Sequence, residues 1–253
     1  MNSVFLLRLL FDLIAASLLV FGLSYWWLGN TAHELAGAAM FVLLIVHNVF
    51  NRRFYGTIAR PQQEARGLFN VAITMALLIT IVVLLVTSAL ISNTLSGLMP
   101  IDGGFTVRQI HTVAAYWSLV IVAVHLGLRW PMIIGVARNL FGISKSIPVR
   151  TWALRLIAVA VAGHGIWSSF ELGLGTKLAM QVTLDWWNFE ESITGFFVHC
   201  LAITGLYMFL TYYAMKWLQH RKRSMSSWHV TARRNRQSTQ AMGQQMEAGN
   251  AER

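Results

Sequence analysis

Four histidines stand in two matched pairs: His33 and His47 are fourteen residues apart within one apolar stretch, and His111 and His125 are fourteen apart within another. Fourteen residues make just under four α-helical turns, so both histidines of a stretch lie on one helix face, roughly 21 Å apart along the axis. Neutral imidazole nitrogens bind iron, and two imidazoles on facing helices can hold one haem iron from opposite sides. Parallel helices with this spacing would pair His33 with His111 and His47 with His125, giving two ligand pairs at two depths.

A single histidine at membrane depth is accounted for by a hydrogen bond to a neighbouring helix. Two equal spacings on two helices ask for more, because ionisable side chains in a bilayer are costly to keep. Zinc is disfavoured, since no carboxylate or thiol joins these histidines to complete a tetrahedral set. The chain has one cysteine, Cys200, and no C-x-x-C-H sequence. It therefore has no intrachain disulfide, no iron–sulfur cluster of its own making and no covalently attached haem. The cofactors expected are two haem b, held through their irons and by packing.

The elements that position these residues are apolar spans. Hydrophobic residues make up 56% of the 253 residues and charged residues 12%, about half the charged share of a soluble domain. Six stretches approach the ~20 residues needed to cross a bilayer as a helix: Val4 to Leu28, His33 to Val49, Leu68 to Ile91, Ile110 to Leu128, Trp152 to Phe170 and Ile193 to Leu218. The first follows Arg8 but ends in Tyr25, Trp26 and Trp27 with no small-residue cleavage site, so it reads as a span with an interfacial aromatic belt rather than a secretory signal. The expected fold is all-α, an integral membrane six-helix bundle with a four-helix di-haem core built from two helical hairpins.

Lysine and arginine set the expected orientation. Arg52, Arg53, Arg60 and Arg66 follow span two; Arg129, Arg138, Lys145 and Arg150 follow span four; Arg221, Lys222 and Arg223 follow span six. By the positive-inside rule these are cytoplasmic, as are both termini. The alternate connections are poor in cations, and in the last of them Lys177 is set against Glu171, Asp185, Glu190 and Glu191. The net charge of +10 then reads as topology and attraction to anionic membrane lipid, not as a nucleic-acid signal. His33 and His111 fall near the outer face, His47 and His125 near the inner one.

A weak internal repeat supports two joined hairpins. Leu10-Phe11-Asp12 opens span one as Leu68-Phe69-Asn70 opens span three, and the histidine helices share Ala36 with Ala114, Val42 with Val120 and Val46 with Val124. The organisation expected is a core over residues 1–135 (hairpins 1–55 and 66–135), an additional transmembrane hairpin over 150–220 and a disordered cytoplasmic tail over 224–253, rich in Gln, Ser, Arg and Asn. His220 and His229, among basic residues after span six, read as solvated or lipid-surface groups.

The two histidine helices, the His33-Glu34 start and the Arg52-Arg53 exit resemble the flavinylation-associated cytochrome family of bacterial membrane proteins over about the first 135 residues. The four-helix arrangement is also similar to the cytochrome b subunits of hydrogenases and formate dehydrogenases. The resemblance implies a di-haem cytochrome b in the bacterial cytoplasmic membrane. It would act as an electron-transfer subunit between a quinol or partner subunit and a redox partner, such as an extracytoplasmic flavoprotein.

Three further residues are second-rank candidates. His164 in span five and His199 in span six lie at matching depths; a third haem, a metal or a quinone could use them, but a polar contact between neighbouring helices explains them more simply. Asp12 is expected to be neutralised by Arg8, four residues earlier on the same face, with a proton relay beside a quinone as the functional alternative. Trp26, Trp27, Trp186 and Trp187 read as interfacial anchors, and the 185–191 segment is acidic and aromatic enough to dock a redox partner. No G-x-G-x-x-G or phosphate-binding loop supplies a nucleotide domain. The competing classes are a haem-containing anchor subunit of a larger oxidoreductase and a proton-coupled transporter, although no Gly/Pro interruption breaks the paired spans as transport would favour.

Overall fold

The computed structural model describes residues 3–52, 56, 65–94, 104–143, 147–181 and 187–221. Every regular element among them is helical: α1 (Ser3–Gly22), α2 (Tyr25–Phe50), α3 (Ala65–Ile91), α4 (Gly104–Leu140), α5 (Pro148–Glu171), α6 (Leu174–Leu178) and α7 (Ile193–Arg221). All but α6 contain a stretch long and apolar enough to cross a membrane, and the protein is a multi-pass membrane protein. Its outward side chains agree, with Phe170 80% and Leu35 72% exposed. Such apolar surface suits lipid and would be an aggregation liability in water.

The chain divides into two compact units, residues 1–211 and 212–253. In the first, α4 is the axis. It is apolar on every side and buries Ala114, Tyr116, Leu119, Val120, Ala123 and Leu128 among others, as a helix surrounded by other helices must. One face meets Ile81 and Leu84 of α3. The opposite face joins Leu172, Leu174, Phe196, Cys200 and Ile203 in a second cluster. Helices α5 and α7 approach closely through glycine: a Cβ at Gly165 would fall 2.7 Å from Leu206 Cβ, and one at Gly205 would fall 2.5 Å from Val161 Cγ1. Small residues at such crossings let backbones meet where lipid supplies no hydrophobic drive. The described part of the second unit, residues 212–221, consists of the last turns of α7.

Several boundaries differ from the hydropathy reading. The first span ends at Gly22, not Leu28. Ser24 is fully buried in the following turn, its hydroxyl donating to the Phe21 carbonyl at 2.6 Å, and the aromatic trio opens α2 instead of closing α1. Hydropathy cannot see this turn, because it is built from apolar residues and one serine that bonds locally. Trp27 also does more than line an interface, for it packs edge-on against Phe21 and Phe197 at 6.0 and 5.9 Å. Gly29 then breaks the helix at φ +72°, ψ 173°, in the region glycine alone enters freely, and His33 follows one turn later. Helix α4 runs 37 residues with Pro131 inside it, roughly 55 Å, so Arg108, Arg129 and Arg138 are helical rather than in connections.

The connection after α5 also departs from a solvated loop. Leu172 and Leu174 are buried, and the Lys177 ammonium turns inward, donating to the Leu172 carbonyl at 2.6 Å and lying 5.0 Å above the Tyr116 ring. Burial strips water from the ammonium and holds its pKa below the ordinary value of 10.5. Between the two values the unfolded chain binds the extra proton, so stability rises with pH across that window. The melting temperature in detergent is expected to climb as the pH rises toward 10.5, and Lys177→Met to flatten the climb. An unchanged slope in the variant would assign it to another group.

The 182–186 segment with Asp185 and Trp186, the residues Arg53, Arg60 and Lys145, and the tail from 222 with Lys222, Arg223 and His229 lie outside the described residues.

Candidate functional site

At one end of the first four helices, α2 and α4 bring His33 and His111 together, with ring centroids 6.0 Å apart and planes at 70°. Leu18 and Leu19 of α1, Gly37 of α2 and Leu84 of α3 complete a small open-sided slot of about 60 Å³ around the two imidazoles. That is well below the roughly 300–1,000 Å³ of small-molecule and cofactor sites, so a large group would have to lie partly in the open side of the slot; the lining is almost wholly apolar, with the two rings as its main polar groups.

The hydrogen bonds fix how His111 can act. Its Nδ1 lies 3.0 Å from the Thr87 hydroxyl, which donates its single proton to the Val83 carbonyl at 2.7 Å. With the Thr87 proton on a backbone carbonyl, that of Val83 or that of Leu84 at 3.1 Å, the ring Nδ1 is the donor and Nε2 keeps a lone pair. A histidine so oriented by a partner on its other nitrogen is arranged as metal ligands are. His33 has a buried Nδ1 with no hydrogen-bond partner, while its ring also lies against the Gly22 backbone. Tyr25 meets its ring edge-on at 5.1 Å. The adjacent Glu34 is a fastener: its carboxylate accepts from the Asn93 N–H at 2.8 Å, from Asn30 Nδ2 at 3.0 Å and from the Thr94 hydroxyl, tying the start of α2 to the end of α3.

At the other end, His47 Nδ1 is hydrogen-bonded to the Asp12 carboxylate. The expected Arg8–Asp12 pair is corrected: Asp12 turns across to α2, while the Arg8 guanidinium lies 5.7 Å over the Phe50 ring and its Nε is buried without a hydrogen-bond partner. Same-helix spacing allowed the ion pair, but the imidazole offered Asp12 a partner on the neighbouring helix and Phe50 offered the guanidinium a ring face. Phe50 is itself stacked on Phe11 at 6.1 Å, which fixes α1 against α2 at this level. His47 Nε2 has only a long contact, 3.5 Å, from Asn51 Nδ2. His125 sits in the electrostatic neighbourhood of Arg129, His47 and Asp12, and its Nδ1 is buried without a partner.

Among the described residues no ring contact joins His47 to His125 as one joins His33 to His111, whereas the third pair does meet. His164 and His199 stack at 5.5 Å with planes 16° apart, and His199 Nδ1 is 2.8 Å from the Ser168 hydroxyl. Trp167 and Trp187 each stand 5.1 Å from the His199 ring. The arrangement is a hydrogen-bonded, aromatic-walled contact between α5 and the α7 helix. His220 is exposed in the last turn of α7. Among the described residues no three His, Cys, Asp or Glu side chains are grouped to hold a metal ion, so each histidine pair could serve only a centre whose remaining ligands come from elsewhere.

Sequence reasoning did not find Thr87, Ser168 or the Asp12–His47 bond. A hydroxyl inside an apolar span is a weak signal, because serine and threonine usually bond back to their own helix, as Thr74 and Thr80 do. Their positions one turn or less from the level of a histidine on a neighbouring helix carry the information, and that needs the packing. Comparison with known proteins finds no family model, no curated protein and no solved structure that matches this chain.

Proposed function

We propose that the protein is a di-haem cytochrome b that carries electrons across the bacterial cytoplasmic membrane. His33 and His111 would ligate an outer haem iron, His47 and His125 an inner one. The carrying observation is the meeting of His33 and His111 at 6.0 Å beside an apolar slot. Two imidazoles at that separation could both hold one iron between them. The Thr87-oriented lone pair and the orphaned Nδ1 atoms of His33 and His125 are further features that suit the group.

Bound haem supplies reversible one-electron iron chemistry; the chain supplies position and environment. Thr87 and Asp12 orient ligating rings, the leucines of the slot exclude water, and the unequal depths of the two pairs divide the membrane into two steps. Arginines following α2 and within the later part of α4 mark the His47 end as cytoplasmic, with both termini on that side. On this reading the chain is an electron-transfer subunit of the flavinylation-associated cytochrome kind. A quinol or partner subunit is its donor or acceptor on one side, and a redox protein such as a flavoprotein on the other.

The test is conduction. Haem-loaded protein in lipid vesicles with trapped ascorbate and external ferricyanide should oxidise the ascorbate far faster than protein-free vesicles. Equal rates would exclude a transmembrane carrier.

A further inference from the structure

The two histidine ends are backed by different chemistry: His111 by a neutral hydroxyl, Thr87, and His47 by a carboxylate, Asp12. A carboxylate accepting the Nδ1 proton of a ligating imidazole gives the ring anionic character and raises its basicity. A more basic axial ligand favours the higher charge of ferric iron over ferrous and lowers the potential. A hydroxyl that is already donating to a backbone carbonyl polarises its ring much less.

Resting on the proposed function above, we infer that Asp12 is a positioning residue for His47 that makes the inner ligand pair the lower in potential and the outer pair the higher. The two sites are then not interchangeable relays. An electron shared between them favours the outer pair, and the chain is built for export of electrons from the cytoplasmic side.

Other charges near each end were weighed against this. Arg129 lies in the electrostatic neighbourhood of His125 and Arg8 lies over Phe50. Both favour the ferrous form, but through space, whereas Asp12 bonds to the imidazole itself. Glu34 neighbours His33, but its oxygens accept from Asn30, Asn93 and Thr94 and not from the imidazole. The direct contact decides the order.

Redox titration of the purified protein, followed at the haem bands, should resolve two one-electron midpoints. Asp12→Asn should raise the lower one by tenfold or more in the ferric–ferrous equilibrium, about 59 mV for one electron, and leave the upper one in place. Asp12→Glu should restore the low value. Should Asp12→Asn fail to hold the inner haem, His111→Ala decides, for the haem it retains must titrate at the lower midpoint. A retained haem at the upper midpoint, or an Asp12→Asn protein with two haems and unmoved midpoints, would overturn the inference while leaving a di-haem cytochrome. A haem-free wild-type protein would instead remove the function on which it rests.

Discussion

His33→Ala and His111→Ala are each expected to lower haem content from two per chain to one, and to remove the same haem. His47→Ala and His125→Ala should remove the other. The histidines of one pair come from different helices, α2 and α4, and meet at 6.0 Å at the His33 end. Loss of either partner leaves an iron held from one side and a half-lined slot. Two residues acting on one ligand are not additive, so the double variant His33→Ala/His111→Ala should lose no more haem than either single. The measurement is haem per chain, with the spectrum of the survivor compared between variants. If His33→Ala and His47→Ala removed the same haem, the ligands would be paired along a helix and not between helices.

Gly37→Phe should also halve haem content, with all four histidines intact. Gly37 lines the slot, and a Cβ there would meet nothing within 4 Å, so a ring at this position enters space the chain itself does not use. The fold should tolerate it and the outer haem should not. Gly165→Phe is the contrasting variant: its Cβ would fall 2.7 Å from Leu206 Cβ where α5 meets α7. Even a Cβ there would collide with the Ala202 carbonyl, so the cost starts at about 1–3 kcal/mol, that of an overpacked methylene, and the change should lower the melting temperature without selecting one haem. A Gly37→Phe protein that kept both haems would mean that the slot beside His33 is not where one binds.

The six spans were legible because bilayer thickness imposes length and hydropathy together, and neither depends on knowing the neighbours. Their ends were less so. The Ser24 turn is hidden inside a continuous apolar run, and the far end of α4 continues through Arg129, Pro131 and Arg138, residues that usually punctuate. The meeting of His33 with His111 followed from spacing and direction, since equal registers on parallel helices leave few ways to pair, but the same registers did not bring the His47 and His125 rings into contact. The partners of the histidines did not. Arg8 stood four residues from Asp12 and looked sufficient to neutralise it; only the packing of α1 on α2 reveals that Asp12 reaches His47 and that Arg8 covers Phe50. The burial of Lys177 was equally out of reach, because a short helix in a polar connection has no period long enough to read. Local sequence specified the ligand-bearing helices, and tertiary contact specified what stands behind each ring.

The account rests most heavily on haem itself. Protein purified from a haem-sufficient host should show b-type absorption bands that sharpen on reduction, and pyridine haemochrome quantification should give two haem b per chain. Protein from such a host that carries no haem would contradict it.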